Sequence, residues 1–229
     1  MKAVIFDMFE TLVTLHGGPL YFGKEIADDL GISAEEFYPL WHQTEDDRSK
    51  GALRFEEALT WIGEHMTFPY PERIAAVSEK RRAFKEEAFR HVEDRILQMM
   101  KELKEHGAKI GLISNCFWEE AEAIHNSCLA SYFDTMLLSC ELGMQKPEPE
   151  LYYRCMRELQ AAPEECLYVG DGGSRELETA AKLGLHPLQA GWYLGTPGGS
   201  SRKEGIPFAE KPEEVVQAFR NCPDGCAAV

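Results

Sequence analysis

The chain has 229 residues, of which 44% are hydrophobic and 28% are charged, and its formal net charge is −15. These proportions are ordinary for a globular protein. The negative charge argues against non-specific nucleic-acid binding, in which Lys and Arg neutralise phosphates, and against binding to an anionic membrane surface. It still allows an anionic substrate, because a local site can be positive or can hold a metal ion.

Seven cysteines are scattered along the chain without a Cys-x-x-Cys pair, which is typical of reduced thiols in a cytoplasmic protein. Cys222 and Cys226 leave a C-terminal metal site open as an alternative. The N-terminal apolar run stops at Asp7, too early for a signal peptide, and no apolar stretch approaches the length of a membrane span. We therefore expect a cytoplasmic protein that binds neither nucleic acid nor membrane.

Short apolar segments alternate with amphipathic segments over most of the chain. The apolar segments predict strands over Lys2–Phe6, Ala108–Ser114, Thr135–Ser139, Cys166–Asp171 and His186–Gly191. The amphipathic segments predict helices over Val92–His106, Trp118–Leu129, Pro149–Leu159, Arg175–Leu183 and Pro212–Phe219. Because the apolar residues run continuously, these strands are expected to be covered on both faces. The alternation predicts an α/β fold with a doubly wound, parallel, Rossmann-like sheet.

The segment from Gly17 to Phe89 departs from this alternation, because its patterns are helical throughout. They predict helices over Leu20–Leu30, Ala34–Arg48, Phe55–Met66 and Pro71–Phe89. We therefore expect a small all-helical domain, residues 17–89, inserted after the first strand. The Rossmann-like core would comprise residues 1–16 and 90–229.

Residues that carry chemistry follow four of the predicted strands. They are Asp7 after the first strand, Ser114 and Asn115 at the end of the second, Lys146 after the third, and Asp171 and Glu176 after the fourth. In parallel α/β sheets, ligands bind beyond the carboxyl ends of the strands, so these residues are expected to meet at one edge. Each residue alone is more typical of a helix cap, a turn or the surface. Their joint occurrence favours a site.

The residue types at this edge are suited to phosphoryl chemistry. Asp7 and Asp171 would repel each other at close range, and a bound Mg²⁺ would relieve that repulsion. Lys146 adds a second cation, and Ser114 and Asn115 can bind anionic oxygens. A carboxylate beside a metal and a lysine can attack a phosphoryl group, with catalysis by positioning and charge neutralisation.

Four segments of the sequence resemble, in order, the four motifs of the haloacid dehalogenase-like hydrolase superfamily. They are Asp7-Met-Phe-Glu-Thr11, Ser114-Asn115, Lys146-Pro147, and Gly170-Asp171 with Glu176. The resemblance covers nearly the whole chain. It includes the helical insertion, which is similar to the alpha-helical cap of that family. The segment Gly51-Ala-Leu-Arg-Phe-Glu-Glu57 is similar to the cap loop that approaches the active site.

The resemblance implies a covalent mechanism with a metal cofactor. Asp7 would be the nucleophile and a ligand of Mg²⁺. The backbone carbonyl of Phe9 and the carboxylate of Asp171 would be further ligands, and Glu176 would hold the metal directly or through water.

The resemblance also implies how the substrate is held. Ser114 and Lys146 would bind the transferring group, with Asn115 beside them. The cap would exclude water and choose the substrate. Arg48 and Arg54 flank the cap loop and are candidates for gripping an anionic substrate, against the alternative of a solvated surface.

Phe9 departs from the phosphatase pattern of this family. Phosphatases usually carry a second Asp at this position, which protonates the leaving oxygen and then activates water; phenylalanine cannot transfer a proton. Glu10 is a poor substitute, because neighbouring side chains in an extended segment point to opposite sides. Dehalogenases of the family tolerate an aromatic residue here, since a halide leaves without a proton.

The fourth motif favours a phosphatase instead. Dehalogenases need no metal and partly replace these acids, whereas Asp171 and Glu176 are both retained here. A third branch of the family forms a Schiff base through a cap lysine. Lys24 and Lys50 are cap lysines, but the bulky Phe9 argues against that branch.

We therefore predict a Mg²⁺-dependent hydrolase that acts on a small, anionic, phosphorylated metabolite through an aspartyl-phosphate intermediate. Because Phe9 replaces the usual acid, the enzyme would be slow on generic phosphoesters or suited to a good leaving group, such as an acyl phosphate or a phosphoramidate. The alternatives are a 2-haloacid dehalogenase-type carbon–halogen hydrolase and a non-catalytic protein that binds a phosphorylated ligand. The sequence is compatible with a monomer or a homodimer.

Overall fold

A parallel sheet of six strands lies at the centre of the computed structural model, which describes residues 1–66, 70–196 and 199–221. In chain order the strands are β1 (Ala3–Phe6), β2 (Lys109–Ser114), β3 (Thr135–Leu138), β4 (Cys166–Gly170), β5 (His186–Ala190) and β6 (Phe208–Ala209). Their spatial order is β3-β2-β1-β4-β5-β6. The order reverses between β1 and β4, and in open α/β sheets ligands bind at such a reversal.

The predicted fold class is confirmed. The five predicted strands all form, with ends within one residue of the predicted bounds, and neighbouring strands pair in parallel, as Val4 does with Ile110 and with Leu167. β6 was missed because two residues are too few to show a pattern.

Both faces of the central strand are buried, as its uninterrupted apolar sequence predicts. Val4 and Phe6 join one hydrophobic cluster, and Ala3 and Ile5 join another on the opposite face. Alternate side chains of a strand point to opposite faces, so covering both requires helices on both sides. The helices that follow the insertion are α6 (Asp94–Glu105), α7 (Trp118–His125), α8 (Ser139–Leu142), α9 (Pro149–Leu159), α10 (Glu176–Lys182) and α11 (Glu213–Asn221).

The segment between β1 and β2 contains helices and no strand among its described residues. Its first five helices are α1 (Gly23–Leu30), α2 (Ala34–Gln43), α3 (Glu45–Ser49), α4 (Phe55–His65) and α5 (Pro71–Arg90). They enclose a hydrophobic cluster of their own, to which Phe37, Trp41 and Leu59 contribute. We call this helical insertion the cap. α5 ends one residue beyond the expected boundary at residue 89, and the exact domain limits stay a prediction.

The helix predicted over Ala34–Arg48 is divided into α2 and α3. Thr44 stands at the division, and its side-chain hydroxyl donates to the carbonyl oxygen of Trp41 at 2.9 Å. Hydroxyl side chains compete in this way for backbone groups, which interrupts a helix. The break redirects α3 so that Arg48 points back towards Thr44, whose hydroxyl accepts from the Arg48 Nε at 3.0 Å.

None of the described helices combines the length and the apolar character that crossing a membrane requires. Cys222 and Cys226, the alternative metal site, lie outside the described residues.

Candidate active site

The loops at the carboxyl edge of the sheet bring five of the predicted site residues into one buried cluster. They are Asp7 after β1, Ser114 at the end of β2, Lys146 in the segment before α9, Asp171 after β4 and Glu176 at the start of α10. β1 and β4 are neighbours in the sheet, so the two aspartates that follow them are placed side by side. The cluster sits at the reversal of strand order.

Asp7 is the carboxylate on which the cluster is centred. Its backbone amide donates to the carbonyl oxygen of Val169 at 2.9 Å, which continues the β1–β4 pairing to the end of the strand. The Lys146 Nζ and, at 3.4 Å, the Thr11 hydroxyl donate to the Asp7 side chain. Burial raises the pKa of Asp7, the Lys146 ammonium opposes that rise, and the nearby charge of Asp171 adds to it.

Lys146 bridges two carboxylates. Its Nζ donates to Asp7 Oδ1 and also, at 2.5 Å, to Glu176 Oε2. Burial alone would lower the pKa of Lys146, but the charges of Asp7 and Glu176 outweigh burial and hold the pKa above its ordinary value. Lys146 is therefore a fixed positive charge beside Asp7.

Glu176 is fully buried, and protein donors contact both of its carboxylate oxygens. The backbone amide of Gly172 donates to Oε1 at 3.2 Å, and the Tyr168 hydroxyl donates to Oε2 at 3.3 Å, beside Lys146. Burial, together with the charge of Asp7, raises the pKa of Glu176 to about 8. The Glu176 carboxylate fits only because residue 170 is glycine, since a Cβ on Gly170 would lie 2.0 Å from Glu176 Oε1.

Asp171 is oriented by the chain that follows it. The backbone amide of Gly173 donates to its Oδ1 at 2.8 Å, and the Ser200 hydroxyl donates to its Oδ2 at 2.6 Å. The Gln189 side-chain amide also donates to the Asp171 carbonyl oxygen at 2.8 Å. Sequence reasoning missed Ser200 and Gln189, because neither lies in a motif and both reach the site only through the fold.

Asn115 connects two of the loops. Its side-chain oxygen accepts from the Lys146 backbone amide at 2.7 Å, and its side-chain nitrogen donates to the Lys146 carbonyl oxygen at 3.1 Å. The same nitrogen lies 3.3 Å from the Ser174 hydroxyl. By contrast, the buried hydroxyl of Ser114 has no hydrogen-bond partner among the described residues. A buried polar atom without a partner is uncommon and is suited to a ligand.

The three acids could hold a metal ion. One carboxylate oxygen from each of Asp7, Asp171 and Glu176 lies within 4.8 Å of the other two. Carboxylate oxygens are the ligands that Mg²⁺ prefers. The donor set therefore fits Mg²⁺, although Glu176 is also engaged by Lys146 in this structure.

Phe9, two residues after Asp7, lies between the core and the cap. The ring packs edge-on against Phe89, with 6.2 Å between centroids, and its centroid lies 5.8 Å from the Lys85 Nζ. Glu10 faces elsewhere, since it accepts from the Thr14 hydroxyl at 2.8 Å and from the Leu15 amide at 2.9 Å. The extended segment expected around Glu10 does not form, since Glu10 has a φ of 54°, and the role of Glu10 stays a prediction.

The cap loop is anchored directly on the core beside this cluster. The Ser139 hydroxyl donates to the Ser49 carbonyl oxygen at 2.7 Å, and the Ser49 hydroxyl donates to the Gln145 side chain at 2.8 Å. Gly51 has a φ of 75°, and a Cβ on it would lie 1.8 Å from the Cys140 carbonyl oxygen. Only glycine permits both this backbone conformation and this approach.

The two cap arginines occupy different environments. Arg48 is only 2% exposed, and its guanidinium carbon lies 3.5 Å from the Trp41 ring centroid and 4.5 Å from the Phe117 ring centroid. The side chain of Arg54 is 53% exposed, lies over Trp118 and pairs with Glu122 at 3.7 Å. Neither side chain reaches the acidic cluster in this structure.

A second charged cluster lies between the cap and α7. Arg81 and Lys85, both buried on α5, pair with Glu119 at 3.1 Å and Glu120 at 2.6 Å respectively. Burial, together with the charge of Arg81, lowers the pKa of Lys85 to about 8. Sequence reasoning missed this cluster, although the spacing of Arg81 and Lys85, four residues apart, placed them on one helix face.

Comparison with known proteins supports a family assignment. The family described as haloacid dehalogenase-like hydrolase matches residues 1–184. The chain is 34% identical over 92 residues to the Rhythmically expressed gene 2 protein of Drosophila melanogaster. This alignment covers 39% of this chain and 35% of that protein. It is 25% identical to the Glyceraldehyde 3-phosphate phosphatase of Methanopyrus kandleri, over 81% of this chain and 82% of that one. It is also 25% identical to the Phosphorylated carbohydrates phosphatase of Thermotoga maritima, over 96% and 99% of the two chains.

Solved structures share the fold at low sequence identity. A 2-haloacid dehalogenase from Pseudomonas syringae aligns with a TM-score of 0.70 and 19% identity, over 95% of this chain and 98% of that chain. A HAD family enzyme from Bacteroides thetaiotaomicron, solved as a magnesium complex, aligns with a TM-score of 0.62 and 20% identity, over 82% and 92%. Because the family match extends over most of this sequence, the chain belongs to the haloacid dehalogenase-like hydrolases.

Proposed function

We propose that this hydrolase is a Mg²⁺-dependent phosphatase that cleaves a small phosphorylated metabolite through an aspartyl-phosphate at Asp7. The observation that carries the proposal is the convergence of Asp7, Asp171 and Glu176 within 4.8 Å, with Lys146 between two of them. A metal-independent hydrolysis has no need for three acids at this distance. Asp7, the Phe9 backbone carbonyl and Asp171 would hold the ion, and Glu176 would hold it directly or through water.

In the first step, a carboxylate oxygen of Asp7 attacks phosphorus, and the bond from phosphorus to the leaving group breaks. Lys146 and the Ser114 hydroxyl bind the oxygens of the transferring group, and Asn115 keeps the Lys146 backbone in place. When bound, Mg²⁺ supplies further charge neutralisation at the phosphoryl oxygens. Because Asp7 is buried, its contacts with Lys146 and Thr11 fix the direction of attack.

In the second step, water attacks the aspartyl-phosphate, phosphate is released, and the Asp7 carboxylate is regenerated. Phe9 can neither protonate the leaving oxygen in the first step nor accept a proton from water in the second. The missing transfer is worth about 10²–10⁴-fold in rate. The proposal therefore favours acyl phosphates, whose carboxylate leaves without a proton, and phosphoramidates, whose nitrogen takes its proton from solvent before it leaves, over ordinary phosphoesters.

Two relatives support a phosphorylated metabolite as the substrate class. The Methanopyrus kandleri protein is named a glyceraldehyde 3-phosphate phosphatase and the Thermotoga maritima protein a phosphorylated carbohydrates phosphatase, and both align over most of this chain. Arg48 and Arg54 stay candidates for binding the rest of the substrate. Arg48 is buried, whereas Arg54 is exposed and paired with Glu122.

A carbon–halogen hydrolase is the second candidate, and one observation favours it. Phe9 cannot donate a proton, but a departing halide needs none, and Asp7 could still act as the nucleophile. The three retained acids oppose it, since they place negative charge where a halide would form. A non-catalytic protein that binds a phosphorylated ligand is the remaining alternative.

The deciding experiment measures phosphate release from phosphoesters, acyl phosphates and phosphoramidates, with Mg²⁺ and with a chelator, beside halide release from 2-haloacids. We expect Mg²⁺-dependent phosphate release that Asp7→Asn abolishes. Phosphate release that is unchanged by Asp7→Asn would exclude the proposed mechanism. Halide release in the chelator would establish the dehalogenase, and ligand binding without any turnover would establish the binding protein.

A further inference from the structure

Asp171 differs from the other two acids of the cluster in its surroundings. Lys146 donates to Asp7 and to Glu176, whereas no lysine, arginine or histidine in the described part of the chain forms an ion pair with Asp171. One oxygen of each carboxylate lies within 4.8 Å of the other two, so before a metal binds, the negative charges of Asp7 and Glu176 repel Asp171. The orientation of the Asp171 side chain therefore depends on neutral hydrogen-bond donors.

Two of these donors come from the connection between β5 and β6, residues 191–207. The Ser200 hydroxyl donates to Asp171 Oδ2 at 2.6 Å, and the Ser200 backbone amide donates to the same oxygen at 3.2 Å. The third donor is the Gly173 amide, which reaches Oδ1 at 2.8 Å. Hydrogen bonds to a charged acceptor are stronger than those between neutral groups. Ser200 therefore has a large share in fixing the carboxylate.

Gln189, in β5, fastens the segment that carries Ser200. Its side chain is fully buried, and the side-chain nitrogen donates to the carbonyl oxygens of Asp171 at 2.8 Å and of Ser201 at 2.9 Å. The side-chain oxygen of Gln189 accepts from the Lys203 backbone amide at 2.8 Å. A single side-chain amide thus ties the connection to the chain at Asp171.

The beginning of the same connection supports the turn that follows Asp7. The Trp192 Nε1 donates to the Thr11 carbonyl oxygen at 2.8 Å. The Thr11 hydroxyl in turn donates to Asp7 Oδ2 at 3.4 Å. One connection therefore contacts the chain beside both aspartates. It lies outside the four sequence motifs and beyond residue 184, where the family match ends.

We infer that the connection between β5 and β6 sets the affinity of the acidic cluster for Mg²⁺, with Ser200 as the positioning residue of Asp171 and Gln189 as the anchor. This inference rests on the metal site of the proposed function. Without the Ser200 hydroxyl, repulsion from Asp7 and Glu176 turns the Asp171 carboxylate away, and metal binding then has to restore its orientation. Loss of a donor to a metal-binding carboxylate typically weakens metal binding about 10- to 100-fold.

Calorimetric titration with Mg²⁺ tests the role of Ser200. We expect the Kd for Mg²⁺ to rise about 10- to 100-fold in Ser200→Ala and to return most of the way in Ser200→Thr, which keeps the hydroxyl. Ser201→Ala is the matched control, because Ser201 is exposed and contacts Gln189 through its backbone carbonyl oxygen. A Kd in Ser200→Ala equal to that of wild type overturns the inference.

Urea unfolding of Ser200→Ala in a chelator separates positioning from a structural role. A merely structural serine would lower the stability of the metal-free protein and leave the Kd for Mg²⁺ unchanged. A positioning residue raises the Kd, and the rise persists under conditions in which the variant is fully folded. Ser200 is only half-buried, so this variant is expected to fold.

Gln189→Met tests the anchor. It should weaken Mg²⁺ binding although the Gln189 side chain contacts only the backbone of Asp171. Because Gln189 acts through Ser200, the rise in Kd for Gln189→Met with Ser200→Ala should be smaller than the product of the two single rises. A full product would overturn the anchoring role. If Gln189→Met does not fold, the Ser200 variants decide the inference alone.

The outcomes separate this inference from the proposed function. If Mg²⁺ binds wild type and Ser200→Ala equally well, only this inference fails. If Ser200→Ala weakens Mg²⁺ binding but wild type releases phosphate from no substrate, the inference is supported and the phosphatase fails. If wild type binds no Mg²⁺, the proposed metal site and this inference fail together.

Discussion

The Lys146 ammonium lies 2.5 Å from Glu176 Oε2 inside the protein, and the same nitrogen donates to Asp7. One lysine thus compensates two buried carboxylates, with a third, Asp171, nearby. Its removal is expected to affect both the folded state and the reaction.

Lys146→Met should destabilise the metal-free protein by about 3–5 kcal/mol, because it leaves buried carboxylates without their cation. It should also abolish turnover. Urea unfolding gives the free energy, and Lys50→Met is the control, since Lys50 pairs with Asp46 at the surface and should cost at most about 1 kcal/mol. Equal losses in the two variants would contradict the compensating role of Lys146.

Phe9→Asp should raise the turnover of ordinary phosphoesters by about 10²–10⁴-fold, since it supplies the missing proton-transfer group. On acyl phosphates only the second step should gain, because their leaving groups need no proton in the first. Phe9→Asn controls for size and polarity without an ionisable proton. An equal gain in both variants would show that access to the site, and not proton transfer, was the obstacle.

Gly170→Ala should disrupt the site, because its Cβ would lie 2.0 Å from Glu176 Oε1 and 3.4 Å from the Asp7 Cβ. We expect loss of turnover together with weaker Mg²⁺ binding, measured by calorimetry. Gly18→Ala is the control, as no atom lies within 4 Å of a Cβ placed there. Unchanged Mg²⁺ affinity in Gly170→Ala would argue against a metal site that includes Glu176.

The metal-free protein should lose stability as the pH rises. The pKa of Glu176 is raised to about 8 in the folded state, above its ordinary value of 4.5, so the folded state binds more protons than the unfolded chain between these values. The stability that Glu176 contributes to the folded state is complete below about pH 4.5 and is lost as the pH rises towards 8. Urea unfolding in a chelator, between pH 5 and 8, should show this decline. In Glu176→Gln the decline should be smaller, and a decline of the same size would assign it to another group.

The core was predictable from the sequence because its strands are continuous apolar runs and its polar residues stand where those runs end. The order of Asp7, Ser114, Lys146 and Asp171 along the chain was enough to place them at one edge. The partners of these residues were not predictable. Ser200 reaches Asp171 from a distant loop, and Tyr168 is hidden in a strand that reads as purely structural.

The helices of the cap were predictable from the sequence, but which of its charged residues are buried was not. Arg48 lies in a charged run that reads as solvated, yet the break at Thr44 turns its side chain inward against two rings. Arg81 and Lys85 are equally buried by packing against α7, which is distant in sequence. Periodicity shows which residues share a helix face, but only tertiary packing decides what covers that face.

The central position of β1 also has a consequence for the order of folding. β1 is synthesised first, yet it lies between β2 and β4, which leave the ribosome only after the whole cap has been made. Until then the edges of β1 are unpaired and its apolar side chains are uncovered. The nascent chain can therefore aggregate or bind chaperones. The candidate active site cannot be complete until β4 pairs with β1 and brings Asp171 next to Asp7.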